Sequence, residues 1–160
     1  MIKQETSLDI ISNDFMSLMK NGTVKRGTWN DKENHVKYAN WLGETLGYKK
    51  RDDWYKINKK VIYDNCGGGL LNKYSDSPLL FLKSVFPDTE WLPWKFGMTS
   101  KGYWNDKENH VKYANWLGET LGYKKRDDWY KINKKVIYDN CGGGLLNKYS
   151  DSPKLFVISV

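Results

Sequence analysis

Residues Trp29 to Pro78 recur without a single change as Trp104 to Pro153, an offset of 75 positions. The likeness thins outward. Arg26-Gly27 answers Lys101-Gly102, and Leu79 to Val85 (LLFLKSV) answers Lys154 to Val160 (KLFVISV). A period this long is a small domain present as a tandem pair, not a short solenoid repeat. Packing constraints cannot hold fifty consecutive positions fixed, because many of them must be surface. Recent duplication, copy correction or deliberate design is implied. Any surface chemistry in one copy is present in the other, so a bivalent function is expected.

A unit of about 75 residues can bury a core, although domains of this size are marginal without extra help. Eight Trp and eleven Tyr in 160 residues supply that help, since aromatic side chains bury large areas. A mean hydropathy of -0.74 with 28% charged residues argues for a soluble chain. No apolar run approaches the ~18 residues of a membrane span. The start, MIKQETSLDIIS, lacks the apolar core of a secretory signal, so an intracellular protein is expected. Each copy carries one cysteine, Cys66 or Cys141. That reads as a reduced thiol rather than a disulfide framework. The net charge of +7 is spread along the chain, with nine Lys/Arg against seven Asp/Glu in each copied stretch. A folded basic face therefore fits better than a polybasic tail.

Residues 1–28 read as an N-terminal helical cap. Ser7 can begin the helix, Leu8, Ile11, Phe15, Leu18 and Met19 share one face, and Asn21-Gly22 ends it. The first repeat unit spans 29–87. It opens with Asn30 as N-cap and Glu33 three residues on, near a capping box. A helix over Asp31–Leu46 is predicted, with Val36, Ala39, Leu42 and Leu46 inward, Tyr38 and Trp41 flanking, and Gly47 as C-cap. Asp52-Asp53 caps a short turn through Trp54-Tyr55, and Asn58 caps a helix carrying Val61 and Ile62. Gly67-Gly68-Gly69 stops it, Leu70–Tyr74 forms another short helix, and Ser77-Pro78 starts the last. The second unit, 104–160, repeats this order. Residues 88–103 form a Trp-rich strap, expected to pack on a unit, that the second unit lacks. Strand signals are weak, with no Asn-Gly hairpin between apolar runs. The fold class expected is all-α: two tandem copies of a small helical unit with the outline of a helix-turn-helix.

The strongest chemical signal is the run Lys49-Lys50-Arg51 to Lys60, in which six basic residues surround Trp54, Tyr55 and Ile57. Cations neutralise phosphates, and interleaved aromatics stack on bases. The plain alternative is that Trp54 anchors a core while the lysines face solvent. Two short helices about a glycine turn outline a helix-turn-helix, yet Asn72, Lys73 and Tyr74 are thin for base reading. The triple glycine is either a close-packed turn or a phosphate cradle. It is not a P-loop, because no Lys-Ser/Thr follows. His35 and Cys66, with copies His110 and Cys141, are the only nucleophile–base candidates, and no spacing joins them. Zinc spacings are missing. No enzyme, cofactor or metal is expected.

Three stretches together carry a family likeness. They are Asn40-Trp41-Leu42-Gly43-Glu44 with Leu46-Gly47, Asp53-Trp54-Tyr55, and Gly67-Gly68-Gly69-Leu70-Leu71; Phe86-Pro87 and Trp91-Leu92-Pro93-Trp94-Lys95-Phe96 follow. This order resembles an uncharacterised tandem repeat of large DNA viruses, notably the marseillevirus group, and of some algae and plants. The likeness covers nearly the whole chain beyond residue 26, except that the second unit lacks the closing Trp-Leu-Pro-Trp-Lys-Phe. It implies an intracellular repeat protein, in the host cytoplasm or nucleus or in the virion if viral. The family carries no assigned activity, so no functional residue is transferred.

The function expected is non-enzymatic binding of nucleic-acid backbone, DNA or RNA. The phosphate contacts would be Lys49, Lys50, Arg51, Lys56, Lys59, Lys60 and Lys73, with Lys124, Lys125, Arg126, Lys131, Lys134, Lys135 and Lys148 in the second copy. The alternative is a structural or protein-interaction module that docks partners, or other copies of itself, through exposed aromatics including Trp91, Trp94 and Phe96.

Overall fold

The computed structural model describes residues 14–160. The expected helix start at Ser7, with Leu8 and Ile11, lies outside the described residues. Helices dominate, and a two-stranded hairpin is present beside them. The chain divides into two compact units, residues 1–91 and 92–160.

In the first unit, residues 14–16 are helical and the chain then turns into strand β1 (Met19–Lys20), paired antiparallel with β2 (Thr23–Val24). Asn21-Gly22 is therefore a hairpin turn and not a helix stop, and Met19 is a strand residue. Both central residues have positive φ, 52° and 77°, the type I′ geometry that suits a two-residue hairpin. The expectation of no Asn-Gly hairpin fails here because the strands are too short to alternate visibly.

Helix α1 spans Lys32–Thr45. Its N-cap is Asp31, one residue later than expected; the carboxylate accepts from the Glu33 amide at 3.0 Å. Its end is a Schellman motif. Gly47 takes a φ of 72°, and the amides of Gly47 and Tyr48 donate to the carbonyls of Glu44 and Gly43 at 3.1 and 2.8 Å. The buried face is His35, Tyr38, Ala39, Leu42 and Gly43, rotated from the expected stripe. Val36 is 39% exposed while Tyr38 is fully buried. Tyr38 can turn inward because its hydroxyl donates to the Asn65 carbonyl at 2.9 Å, which satisfies the one polar atom of a large apolar body.

A 3₁₀ turn over Arg51–Lys56 follows. Then come α2 (Lys59–Asp64), α3 (Gly68–Asn72) and α4 (Pro78–Val85). Asn58 and Ser77 cap α2 and α4 as the spacing predicts, accepting from Val61 and Leu80 at 3.0 and 3.2 Å. The left-handed residue between α2 and α3 is Cys66 (φ 64°). The glycines are there for closeness. A Cβ on Gly67 would lie 2.5 Å from Ile62 Cγ2 and would overlap the Tyr38 hydroxyl, and one on Gly69 would lie 3.2 Å from the Trp29 ring.

The second unit carries α5 (Lys107–Thr120), a 3₁₀ turn over Arg126–Lys131, α6 (Lys134–Asp139), α7 (Gly143–Asn147) and α8 (Pro153–Ser159). Its core gathers Trp94, Trp104, Tyr113, Leu117, Ile137, Leu145, Leu146 and Phe156.

The Trp-rich strap is divided rather than packed on one unit. Trp91 closes the first unit, 5.3 Å from Tyr55 and 6.3 Å from Phe86. Trp94 opens the second, stacking on Trp104 at 6.3 Å and meeting Tyr113 and Trp116 at 5.5 Å each. Phe15 makes the same three contacts in the first unit, with Trp29, Tyr38 and Trp41 at 6.2, 5.2 and 4.7 Å. Each unit is thus completed by an aromatic wedge from the non-repeated segment before it.

Candidate binding face

The basic run Lys49–Lys60 surrounds the 3₁₀ turn, which is fixed by Asp53. Its carboxylate reaches back to accept from the amides of Lys49 and Lys50 at 2.8 and 3.1 Å. Those amides, then the nearby Lys56 and Lys50 charges, hold Asp53 below the usual carboxylate range. Trp54 is buried against Gly43, where an added Cβ would stand 3.0 Å from the indole. A glycine in the last turn of the helix is what lets this ring approach α1 so closely.

The seven cations proposed in the first unit fall into different settings. Lys56, Lys59 and Lys60 pair with Asp53, Asp76 and Asp64 at 3.7, 2.8 and 2.5 Å. Arg51 reaches Asp88 at 3.7 Å and donates from Nε to Thr89 Oγ1 at 3.0 Å. Lys73 donates to Asn30 at 3.3 Å. The side chains of Lys49 and Lys50 are exposed and form no ion pair among the described residues.

In the second unit Lys131, Lys134 and Lys135 pair with Asp128, Asp151 and Asp139 at 3.8, 2.7 and 2.6 Å. Lys148 donates to Asn105 at 2.6 Å. Lys124, Lys125 and Arg126 have no ion-pair partner among the described residues. Exposed pairs of this kind contribute little stability, about 0–1 kcal/mol each. They do place a carboxylate beside many of the cations a phosphate would need.

Asp76 joins Lys59 to the Tyr63 hydroxyl, which donates to it at 2.7 Å. It thereby locks the left-handed Ser75-Asp76 turn, φ 52° and 65°. The Lys59 and Tyr63 hydrogen bonds hold Asp76 below its ordinary range, and Asp151 is held down alike in the second unit. A carboxylate with a depressed folded-state pKa adds stability above its unfolded pKa, near 3.9, and loses it as pH falls through the lower folded value. The melting temperature is therefore expected to fall steadily below about pH 4, with Asp53→Asn/Asp128→Asn flattening the slope. Thermal melts from pH 2 to 5 check this, and parallel slopes for wild type and variant would refute it.

His35 lies on the first turn of α1 and is buried. Nε2 lies 2.9 Å from the Trp29 carbonyl and Nδ1 lies 2.6 Å from the Tyr74 hydroxyl. Because a carbonyl only accepts, Nε2 carries a proton, and Nδ1 is hydrogen-bonded to a Tyr74 hydroxyl that itself donates to Ser84 Oγ at 3.0 Å. His110 repeats this with Trp104 and Tyr149. Both ring nitrogens are engaged in structure. Among the described residues no three of His, Cys, Asp and Glu gather as a metal site. Nor is any helix among them long and apolar enough to cross a membrane. Cys66 and Cys141 are free thiols.

The one difference the repeat does not anticipate is at the aromatic end of this face. In the first unit Phe86 lies 5.4 Å from Trp54, and the Arg51 guanidinium sits 3.8 Å over the Phe86 ring. Trp54 and Ile57 are 4% and 3% exposed. Val85 corresponds to Val160 in the second unit. There Trp129 and Ile132 are only partly buried and Tyr130 is 90% exposed. Trp91 and Trp94, expected as exposed receivers of a partner, are instead 4% and 3% exposed. At this end of the face Tyr130 is exposed, which identity with the half-buried Tyr55 conceals.

What the fold and this face define is a mostly helical, two-unit chain with a cationic, aromatic surface open in one unit. Comparison of the chain with protein-family models, curated proteins and solved structures gives no match.

Proposed function

We propose that the protein is a non-enzymatic docking module: two copies of a helical unit, one of which presents its Arg126–Ile132 face to a partner polypeptide. The observation that carries this reading is the asymmetry of identical surfaces. Trp54 and Ile57 are buried in the first unit, while Trp129 and Ile132 are partly exposed and Tyr130 is exposed in the second. An exposed aromatic beside an arginine with no ion pair among the described residues is the composition of interface hot spots. Membership of the viral repeat family belongs to the same proposal.

A second reading, nucleic-acid backbone binding, is favoured by Lys124, Lys125 and Arg126, which have no ion-pair partners among the described residues, beside Tyr130, a stacking platform for a base. Against it stand the carboxylates paired with Lys131, Lys134 and Lys135. The two readings separate in one pair of measurements. Selection of a displayed random-peptide library on the full chain is expected to enrich aromatic peptides whose binding is lost in Tyr130→Ser. Labelled single strands and duplexes, titrated over a salt series, are expected to show no saturable binding at moderate salt. A library that enriches nothing dependent on Tyr130, with steeply salt-dependent nucleic-acid binding lost in Lys124→Glu/Lys125→Glu, would reverse the assignment.

A further inference from the structure

We infer that the aromatic socket of the first unit, walled by Trp29, Tyr38 and Trp41, is a docking site for a Leu-Pro-Trp segment of a partner polypeptide. Phe15 is the exchangeable plug that the incoming ring displaces. This site is separate from the Arg126–Ile132 face and goes beyond it. Its ground is that one socket is seen with two different occupants. Trp29, Tyr38 and Trp41 recur as Trp104, Tyr113 and Trp116, and Trp94 fills in the second unit the place that Phe15 fills in the first.

The walls barely change with the occupant. Trp29 and Tyr38 stand 5.5 Å apart at 85° around phenylalanine, and Trp104 and Tyr113 stand 5.8 Å apart at 85° around tryptophan. Tyr38–Trp41 and Tyr113–Trp116 are both 5.7 Å apart. The first unit can therefore take the larger ring with almost no movement of its walls. The backbones that deliver the two rings differ: Phe15 stands on the helical turn at residues 14–16, and Trp94 on a 3₁₀ turn over Pro93–Phe96. The indole Nε1 of Trp94 is buried with no hydrogen-bond partner. Recognition is thus of a flat apolar ring, by stacking and edge contacts, and not of one backbone shape or a polar group.

The second unit also supplies the pattern of the ligand. Leu92 packs against the core beside Trp94. Pro93 opens the turn, and the Lys95 amide closes it on the Leu92 carbonyl at 3.0 Å. Proline at the start restricts the free segment and so lowers the cost of ordering it on binding. Phe15, by contrast, sits on a lightly held segment. Among the described residues, polar ties from that segment to the rest of the unit are an Asp14–Lys37 pair at 3.5 Å and two bonds from Lys25. Its Nζ donates to the Ser17 carbonyl at 2.9 Å and its amide to the Leu18 carbonyl at 3.0 Å. Exposed polar ties of this kind contribute little, so the ring is the main anchor.

A second copy of this chain is a poor donor of Trp94. That ring is 3% exposed in the core of its own second unit, and withdrawing it would open the core that it completes. The occupant is a segment whose tryptophan is not already committed.

The test is a fluorescein-labelled peptide Leu-Pro-Trp-Lys-Phe-Gly, the sequence of residues 92–97, titrated by fluorescence anisotropy into the full chain and into Phe15→Ala, with thermal melts in parallel. A seated plug lowers the apparent affinity by the fraction of chains it closes, so Phe15→Ala should bind at least tenfold more tightly than wild type. A peptide with alanine for its Trp should bind at least tenfold more weakly, and one with Phe there should still bind. If Phe15→Ala unfolds the first unit, the Trp peptide should raise its melting temperature, as a ligand of the folded state does. Equal binding to wild type and Phe15→Ala overturns the proposal. So does the failure of millimolar peptide either to saturate Phe15→Ala or to raise its melting temperature. Binding that Tyr130→Ser abolishes overturns it as well, placing the peptide on the Arg126–Ile132 face and leaving that docking reading intact. Binding that depends on position 15 and ignores Tyr130 keeps this site, whatever the library selection on the other face returns.

Discussion

Replacing Gly67 with alanine is expected to destabilise the first unit more than any single change on its surface, by about 3 kcal/mol. The backbone there is ordinary, with φ −98°, so left-handed strain contributes nothing. The cost is overlap. The new methyl would stand 2.5 Å from Ile62 Cγ2 and inside contact distance of the Tyr38 hydroxyl. Tyr38 has nowhere to retreat, because its ring is held by Phe15, Trp29, Trp41 and Phe81 and its hydroxyl is committed to the Asn65 carbonyl. Moving it would leave a buried polar atom unpaired. Burial already pushes its ionisation far above the ordinary tyrosine range. In a domain of this size such a loss lowers the melting temperature by roughly 15 °C. Gly142→Ala should do the same to the second unit, where Tyr113 and Ile137 take the same places. Gly22→Ala is the control: φ is 77° but nothing lies within 4 Å, so only the backbone cost of about 1 kcal/mol remains. Urea titrations of the three variants decide it. A Gly67→Ala loss no larger than that of Gly22→Ala would mean the turn is looser than its packing implies.

How much of this was legible depends on whether a feature is local. The end of α1 at Gly47 and the caps at Asn58 and Ser77 are set within a few residues, and spacing finds them. The inward face of α1 is not local. Tyr38 looks like a flank, and nothing marks His35 as inward, until their partners appear 27 and 39 positions away, at Asn65 and Tyr74. The helical class is legible from periodicity, while a two-residue strand pair leaves no period to read.

Charge behaves the same way. The Lys60–Asp64 pair is an i,i+4 neighbour that sequence alone can suggest. Lys59 meets Asp76 only because the left-handed Ser75-Asp76 turn brings that carboxylate back across 17 positions. A basic run therefore overstates how many cations stand free. The open aromatic face was half legible. The Trp-rich segment between the copies is plain in the sequence, but its division between Trp91 and Trp94 is not. Nothing in Trp-Leu-Pro-Trp says that the two rings serve different units.

That division yields the second large effect. Trp94→Ala is expected to unfold the second unit and spare the first. Truncating a buried aromatic costs about 3–5 kcal/mol, comparable to the whole stability of a small domain. Trp94 is 3% exposed and bridges Trp104, Tyr113 and Trp116, so its loss opens a cavity at the centre of the α5 core. Trp94→Phe should restore most of the loss, because Phe15 fills the same place in the first unit. The indole Nε1 of Trp94 is also buried with no hydrogen-bond partner, and phenylalanine removes that unpaired donor. The identical stretches yield identical peptides, so peptide-level exchange cannot tell the units apart. Limited proteolysis read by intact fragment mass can. Trp94→Ala should leave a resistant fragment ending near residue 91 while the remainder is degraded, and Trp94→Phe should protect both units. If the alanine variant keeps both units resistant, the wedge is dispensable. The non-repeated segments would then be linkers rather than the piece that completes each core.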